Sequence, residues 1–181
     1  MSKSLVRSSG FTLIELLIIV MILGILAMAG VPALTSVLGD SKLSSASRIM
    51  VSAIEYTASL SIKYKRPFQF EADVSNNFFQ IIDTAPFPDD TTGTIRLNNL
   101  PPVNGDDIVF NTLAGTWYIV DFATIGNFDG VSIDSGPPPD DNVTFYPDGH
   151  SSYTDSQYVL SLGERSNTIT IDGISGRITV E

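Results

Sequence analysis

Cysteine is missing from the 181-residue chain, which removes disulfides, thiol catalysis and cysteine-ligated zinc from consideration. Compartment must therefore be read from topology rather than from thiols. Histidine occurs once, at His150. Asp148, Ser151 and Ser152 beside it supply the residue types of a hydrolytic triad, but Asp148-Gly149-His150 reads as a hairpin turn and no strand-turn-helix nucleophile motif accompanies it. No enzymatic activity is expected. Cations are few, with 10 Lys and Arg against 20 Asp and Glu and a formal net charge of −10. That balance opposes generic binding to nucleic acid or anionic lipid, leaving a local basic patch as the route to either.

What the chain does have is a long apolar run. From Leu16 to Leu34 there is no charge and no Asn or Gln, and at about 1.5 Å per residue the run would span roughly 28 Å, close to the hydrocarbon thickness of a bilayer. Lys3 and Arg7 precede it, whereas Asp40 and Lys42 cancel after it. The positive-inside bias then places the amino terminus in the cytoplasm and the carboxyl-terminal region across the membrane. One carboxylate, Glu15, breaks the apolar stretch at its start. Such a group costs about 2.5–3.5 kcal/mol at the centre of a membrane helix and less near the headgroups, so it asks for a partner or for hydration. An ordinary secretory signal with a cut at Ala27-Met28-Ala29 competes for these residues. Glu15, the length of the run and the helical pattern that continues beyond it count against that alternative.

An amphipathic pattern follows. Leu43, Ala46, Met50, Ala53, Tyr56, Leu60 and Tyr64 recur at steps of three and four, with Ser41, Ser45, Arg48, Ser52, Glu55, Ser59 and Lys63 opposite, predicting one helix from Thr12 to Lys65 that ends before Pro67. Gly24, Gly30 and Pro32 interrupt its first half, where they weaken or bend a helix. After Pro67 the period becomes two. Strands are predicted at 68–74, 77–83, 108–111, 116–122, 143–146, 158–162, 168–172 and 177–180, with turns at Pro147-Asp148-Gly149, Gly163-Glu164-Arg165-Ser166 and Asp172-Gly173. Connections this short imply antiparallel pairing. The expected fold is α+β: a long amino-terminal helix whose second half packs on a carboxyl-terminal antiparallel sheet or sandwich. Residues 84–93 and 136–141 read as loops. No cofactor is expected. Asp89-Asp90, Asp106-Asp107 and Asp140-Asp141 could hold a structural calcium, but none fits the calcium-loop spacing, and solvated acidic turns are the commoner use of such pairs.

The string Gly10-Phe11-Thr12-Leu13-Ile14-Glu15 behind a basic leader resembles the processing site of type IV pilins and type II secretion pseudopilins. The resemblance implies cleavage after Gly10 by a prepilin peptidase, methylation of the new amino terminus at Phe11, and a role for Glu15 in neutralising the terminal amine of a neighbouring subunit. It also implies that the helix between such a glycine as Gly24 or Gly30 and Pro32 unwinds as subunits pack. The domains expected are a leader at 1–10, a transmembrane and assembly helix at 11–38, its amphipathic continuation at 39–66 and a periplasmic β-rich domain at 67–181.

A second resemblance lies at the other end. Phe145-Tyr146-Pro147-Asp148-Gly149, Val159-Leu160-Ser161-Leu162, Ile169-Thr170-Ile171-Asp172 and Gly176-Arg177-Ile178-Thr179-Val180 are similar to the final hairpins of the GspH/FimT branch of pseudopilins. Members of that branch are structural minor subunits of the secretion pseudopilus, or minor type IV pilins of which some bind DNA through a Gly-Arg-x-Arg motif. Here only the first arginine, Arg177, is present, so DNA binding ranks second. The partners implied are other pilin or pseudopilin subunits, the prepilin peptidase and an inner-membrane assembly platform.

Overall fold

A computed structural model describes residues 11–84, 107–111, 114–138 and 141–181, and leaves the side chains of residues 29–36 undescribed. The leader with Gly10, most of the predicted 84–93 loop and the acidic pair Asp89-Asp90 therefore lie outside the described residues, as do the side chains of Gly30 and Pro32. The chain divides into two units, Met1–Gly39 and Asp40–Glu181. A single helix, α1 (Leu13–Tyr64), runs through the boundary, as the unbroken periodicity predicts.

In the first unit the helix leaves its apolar side chains uncovered on every side. All residues from Phe11 to Met28 are exposed, Leu13 and Met28 by 83% and 82%. Among the described residues no helix is both long and apolar enough to cross a membrane; the described part of the apolar run stops at Met28, and the rest of Leu16–Leu34 falls on residues whose side chains are undescribed.

The second unit begins with the amphipathic half of α1, and its two faces separate as the pattern requires. Leu43, Ala46, Met50, Ala53 and Leu60 are buried, whereas Ser41, Ser45, Arg48, Ser52, Glu55, Ser59 and Lys63 are all exposed. Three hydroxyls on the buried side need partners and find them in the helix itself: Ser47 Oγ donates to the Leu43 carbonyl (2.9 Å), Thr57 Oγ1 to Ala53 (2.8 Å) and Ser61 Oγ to Ala58 (2.8 Å). The helix ends in a Schellman turn. Lys65 takes φ 53° and the Arg66 N–H reaches back to the Ser61 carbonyl (3.3 Å), after which Pro67 prevents continuation.

Among the described residues ten strands follow, β1 (Phe68–Asp73), β2 (Phe78–Asp83), β3 (Phe110–Asn111), β4 (Thr116–Trp117), β5 (Ile119–Asp121), β6 (Ser132–Ser135), β7 (Asn142–Phe145), β8 (Asp155–Leu162), β9 (Arg165–Asp172) and β10 (Ile178–Val180). They form two four-stranded sheets, in the orders β5-β2-β1-β7 and β10-β9-β8-β6, and a β3-β4 pair. Every pairing among the described residues is antiparallel. Alternate residues Phe68, Phe70 and Ala72 of β1 and Ser156, Tyr158 and Leu160 of β8 are buried. They belong, apart from Ser156, to one core shared with the helix.

The two sheets are joined at Asp141. Its carbonyl accepts both the Tyr158 hydroxyl (3.0 Å) and the Ala72 N–H (3.3 Å), and the Phe70 and Tyr158 rings meet edge to face at 5.3 Å. Desolvation, reinforced by the charges of Asp141 and Glu71, raises the Tyr158 phenol well above its ordinary pKa, so it remains a donor at any physiological pH. The helix hydrogen-bonds to each sheet: Ser61 Oγ to the Tyr146 carbonyl behind β7 (3.2 Å), and Asn167 Nδ2 of β9 to Ser47 Oγ (3.0 Å).

Several local expectations change, and β8 begins at Asp155, ahead of the predicted 158. The predicted 116–122 strand is divided at Tyr118, whose N–H goes to Val109 (2.8 Å) while its carbonyl accepts from Ile81 (3.2 Å), and whose ring stacks on Tyr56 at 5.5 Å. The four-residue turn at 163–166 shortens to Gly163-Glu164, because Leu162 already pairs with Arg165 and Gly163 supplies φ 64°. Strand β6 has no counterpart in the prediction. Its sequence Ser-Ile-Asp-Ser offers one apolar residue, Ile133, and its edge is held by the Ser132 and Ser161 hydroxyls at 2.9 Å.

Two tight turns carry a pH dependence. Asp73 accepts from the Asn76 side chain (2.7 Å) and N–H (2.8 Å), and Asp172 from the N–H groups of Ser175 (2.8 Å) and Ile174 (3.0 Å). The Asn76 side chain in the first case and the Ser175 N–H in the second are the main reasons both carboxyls titrate below their ordinary 3.8. A carboxyl lowered by folding stabilises fully above its unfolded pKa, and that stabilisation is lost as pH falls through the folded value. The melting temperature should therefore fall as pH drops below about 5 and on through the lowered folded values, and a thermal melt series on Asp172→Asn should show a shallower drop.

Candidate assembly site

At the start of α1, Thr12 and Glu15 stand three residues apart, at the spacing of a reciprocal cap. The Glu15 N–H donates to Thr12 Oγ1 (3.3 Å), and Glu15 Oε2 accepts from both the Thr12 N–H and the Thr12 hydroxyl (3.4 Å each). This is a capping box, which satisfies two of the amide donors that a helix start leaves unpaired. A carboxylate here also faces the positive end of the helix dipole. The signal Thr-x-x-Glu is present in the sequence, yet reading Glu15 only as a membrane charge passes over it.

Phe11 lies just before the cap, outside the helix and 74% exposed. The structure thus brings Phe11, Thr12 and Glu15 together at one end. Gly24 sits further along α1, and a Cβ built there would meet nothing within 4 Å. Gly30 and Pro32 fall within the α1 span.

The hydroxyls beside His150 do not complete a triad with it. His150 stacks on Tyr146 at 4.4 Å and contacts Asp148 through Nδ1. Ser151 Oγ turns to the Tyr153 carbonyl (3.0 Å), and Ser152 Oγ accepts the Thr144 N–H (3.1 Å), so neither hydroxyl addresses the imidazole. Burial pushes the Asp148 carboxyl up, but hydrogen bonds and charge from His150 outweigh it and leave the pKa lowered. Among the described residues no group of three His, Asp or Glu could hold a metal; Asp106 and Asp140 lie outside them. Arg177 is exposed, its N–H donates to Ser175 Oγ (3.3 Å), and its charge contributes to the lowered Asp172 pKa. An acidic neighbour of this kind subtracts from any phosphate contact that the arginine could make.

A buried ion pair that sequence reasoning missed closes the helix exit. Arg66 Nη2 lies 2.7 Å from Asp83 Oδ1, with the carboxylate fully buried. Nothing local in the sequence signals this pair, because the two residues meet only through the β1-β2 register that sets Phe68 opposite Asp83.

Residues 5–31 match the family model of the prokaryotic N-terminal methylation motif. No curated protein matches the chain. Among solved structures, the type IV minor pilin FimU of Pseudomonas aeruginosa PAO1 is similar at 14% identity and a TM-score of 0.50, covering 78% of this chain and 90% of that one. A second crystal form of the same pilin gives 15% identity, 77% and 92% coverage and a TM-score of 0.48. At this identity the likeness concerns the fold. The chain thus carries an N-terminal methylation motif at residues 5–31 and shares its fold with a type IV minor pilin.

Proposed function

We propose that this protein is a structural minor pseudopilin of a type II secretion system. It is inserted in the bacterial inner membrane with its amino terminus cytoplasmic, and incorporated through its amino-terminal helix into a periplasmic pseudopilus. The observation that carries this reading is the Thr12-Glu15 cap at the head of an apolar helix whose residues from Phe11 to Met28 are all exposed. A prepilin peptidase would cut between Gly10 and Phe11 and methylate Phe11, leaving a cationic amine one residue before Thr12. In a filament the apolar face is covered by neighbouring helices, and an amine brought to Glu15 from the next subunit removes the cost of burying the carboxylate. The inner-membrane platform is the partner that performs insertion. The work is assembly, with no reaction catalysed.

Mass spectrometry and amino-terminal sequencing of the membrane-extracted chain test the first step. The expected mature terminus is methylated Phe11, and Gly10→Val should leave the leader attached. A chain beginning at Gly30 would instead mark ordinary signal cleavage and end this reading.

The fold of FimU supports a second reading, a minor type IV pilin acting in pilus assembly. Removal of the gene separates the two: loss of exported proteins from the medium supports the secretion pseudopilus, whereas loss of surface pili with normal export supports the pilus. DNA uptake is the weakest version, since Arg177 stands without a second arginine and beside Asp172.

A further inference from the structure

Strand β10 ends its sheet, and the register tells which of its backbone groups point outward. Thr168 and Glu181 exchange both backbone hydrogen bonds (2.8 and 3.0 Å), and the Asp172 N–H donates to the Arg177 carbonyl (2.9 Å). Thr170 and Thr179, midway between these pairs, are therefore the next hydrogen-bonded pair, and Ile178 and Val180 turn their N–H and C=O groups away from β9. An edge of this kind is a template for an extended chain. It borders a groove of about 380 Å³ lined by Ser44, Arg48, Val51 and Ser52 of α1, Asn167 of β9 and Val180 itself, which is 47% exposed.

The charge in that groove identifies its occupant. Lys42 donates to the Asp129 carbonyl (3.2 Å) and Arg165 pairs with Asp40 (2.8 Å), but Arg48 is exposed and makes no ion pair among the described residues. In a chain of net charge −10, a guanidinium set among hydroxyls and two valines, next to outward-facing backbone, suits a strand that carries a carboxylate. We propose that the β10 edge and its groove take an extended acidic segment of a partner protein by strand addition, with a carboxylate of that segment on Arg48. Under the filament reading the segment comes from a neighbouring subunit; the edge and the groove do not depend on that reading.

The full chain in detergent micelles is titrated against a fluorescein-labelled peptide, Thr-Val-Asp-Val-Glu-Val-Thr, and followed by fluorescence anisotropy. Saturable binding is expected, at least tenfold weaker when Lys replaces both acids, and lost when alternate peptide amides are N-methylated. Arg48→Glu should weaken binding at least tenfold. Val180→Pro should do the same, since it removes an outward N–H while Thr179 and Glu181 keep the β9 ladder. Equal binding of acidic and basic peptides, indifference to N-methylation or to both variants, or no binding would each overturn the proposal. So would concentration-dependent self-association that the peptide does not displace, because it would give the edge to a second copy. Failure of the Gly10→Val test leaves this binding untouched, so the two readings fail separately.

Discussion

Asp83→Ala is expected to destabilise the β domain by about 3–5 kcal/mol, the range seen when one partner of a buried ion pair is removed. Asp83 is fully buried and Arg66 nearly so, at 2.7 Å, so truncation takes this carboxylate from a guanidinium that has little access to water. Arg66 is the second residue past the end of α1 and Asp83 ends β2, where the register sets it opposite the first residue of β1. The pair therefore fixes the helix exit to the end of β2. Arg66→Met with Asp83→Leu should recover most of the loss, because apolar replacement of both charges removes the desolvation cost together with the attraction. Urea denaturation is the measurement, and a midpoint shift at unchanged m-value would report the loss of stability directly. A loss below about 1 kcal/mol would place the pair with exposed bridges of little consequence.

The parts of the fold legible in the sequence are those where one periodicity governs many residues. The α1 pattern predicts both ends of the helix within a residue, and the polar face it names is exposed at every position. Strand β1 follows from strict alternation. Where a segment answers to partners distant in the chain, the pattern is silent. Tyr118 breaks its strand because its two backbone groups serve different neighbours, and β6 exists because β8 offers it an edge rather than because Ser-Ile-Asp-Ser favours a strand. Arg66 and Asp83 belong to the same class. Glu15 was legible in two ways, as a membrane charge and as the last residue of Thr-x-x-Glu. The structure displays the second, and the filament reading needs the first.

Substitutions at Glu15 separate those roles. Glu15→Val should leave leader cleavage and membrane insertion intact while reducing incorporation into filaments by at least about tenfold, the effect of losing as little as 1.4 kcal/mol from the subunit contact. Valine, however, removes both the charge and the cap. Glutamine can still serve as the last member of a capping box, so Glu15→Gln keeps the helix start and loses only the negative charge. Thr12→Ala does the reverse, with a capping loss of about 0.5–2 kcal/mol that acts on the helix end and leaves the carboxylate in place. Incorporation is measured as the fraction of mature subunit recovered in sheared filaments over that left in the membrane. If Glu15 receives the neighbouring amine, Glu15→Gln falls with Glu15→Val, and Thr12→Ala stays closer to the wild-type fraction. The opposite order would assign Glu15 to the cap. In that case the apolar surface from Phe11 to Met28 would have to select its neighbours without a charge pair, and register along the fibre would depend on contacts of the β domain.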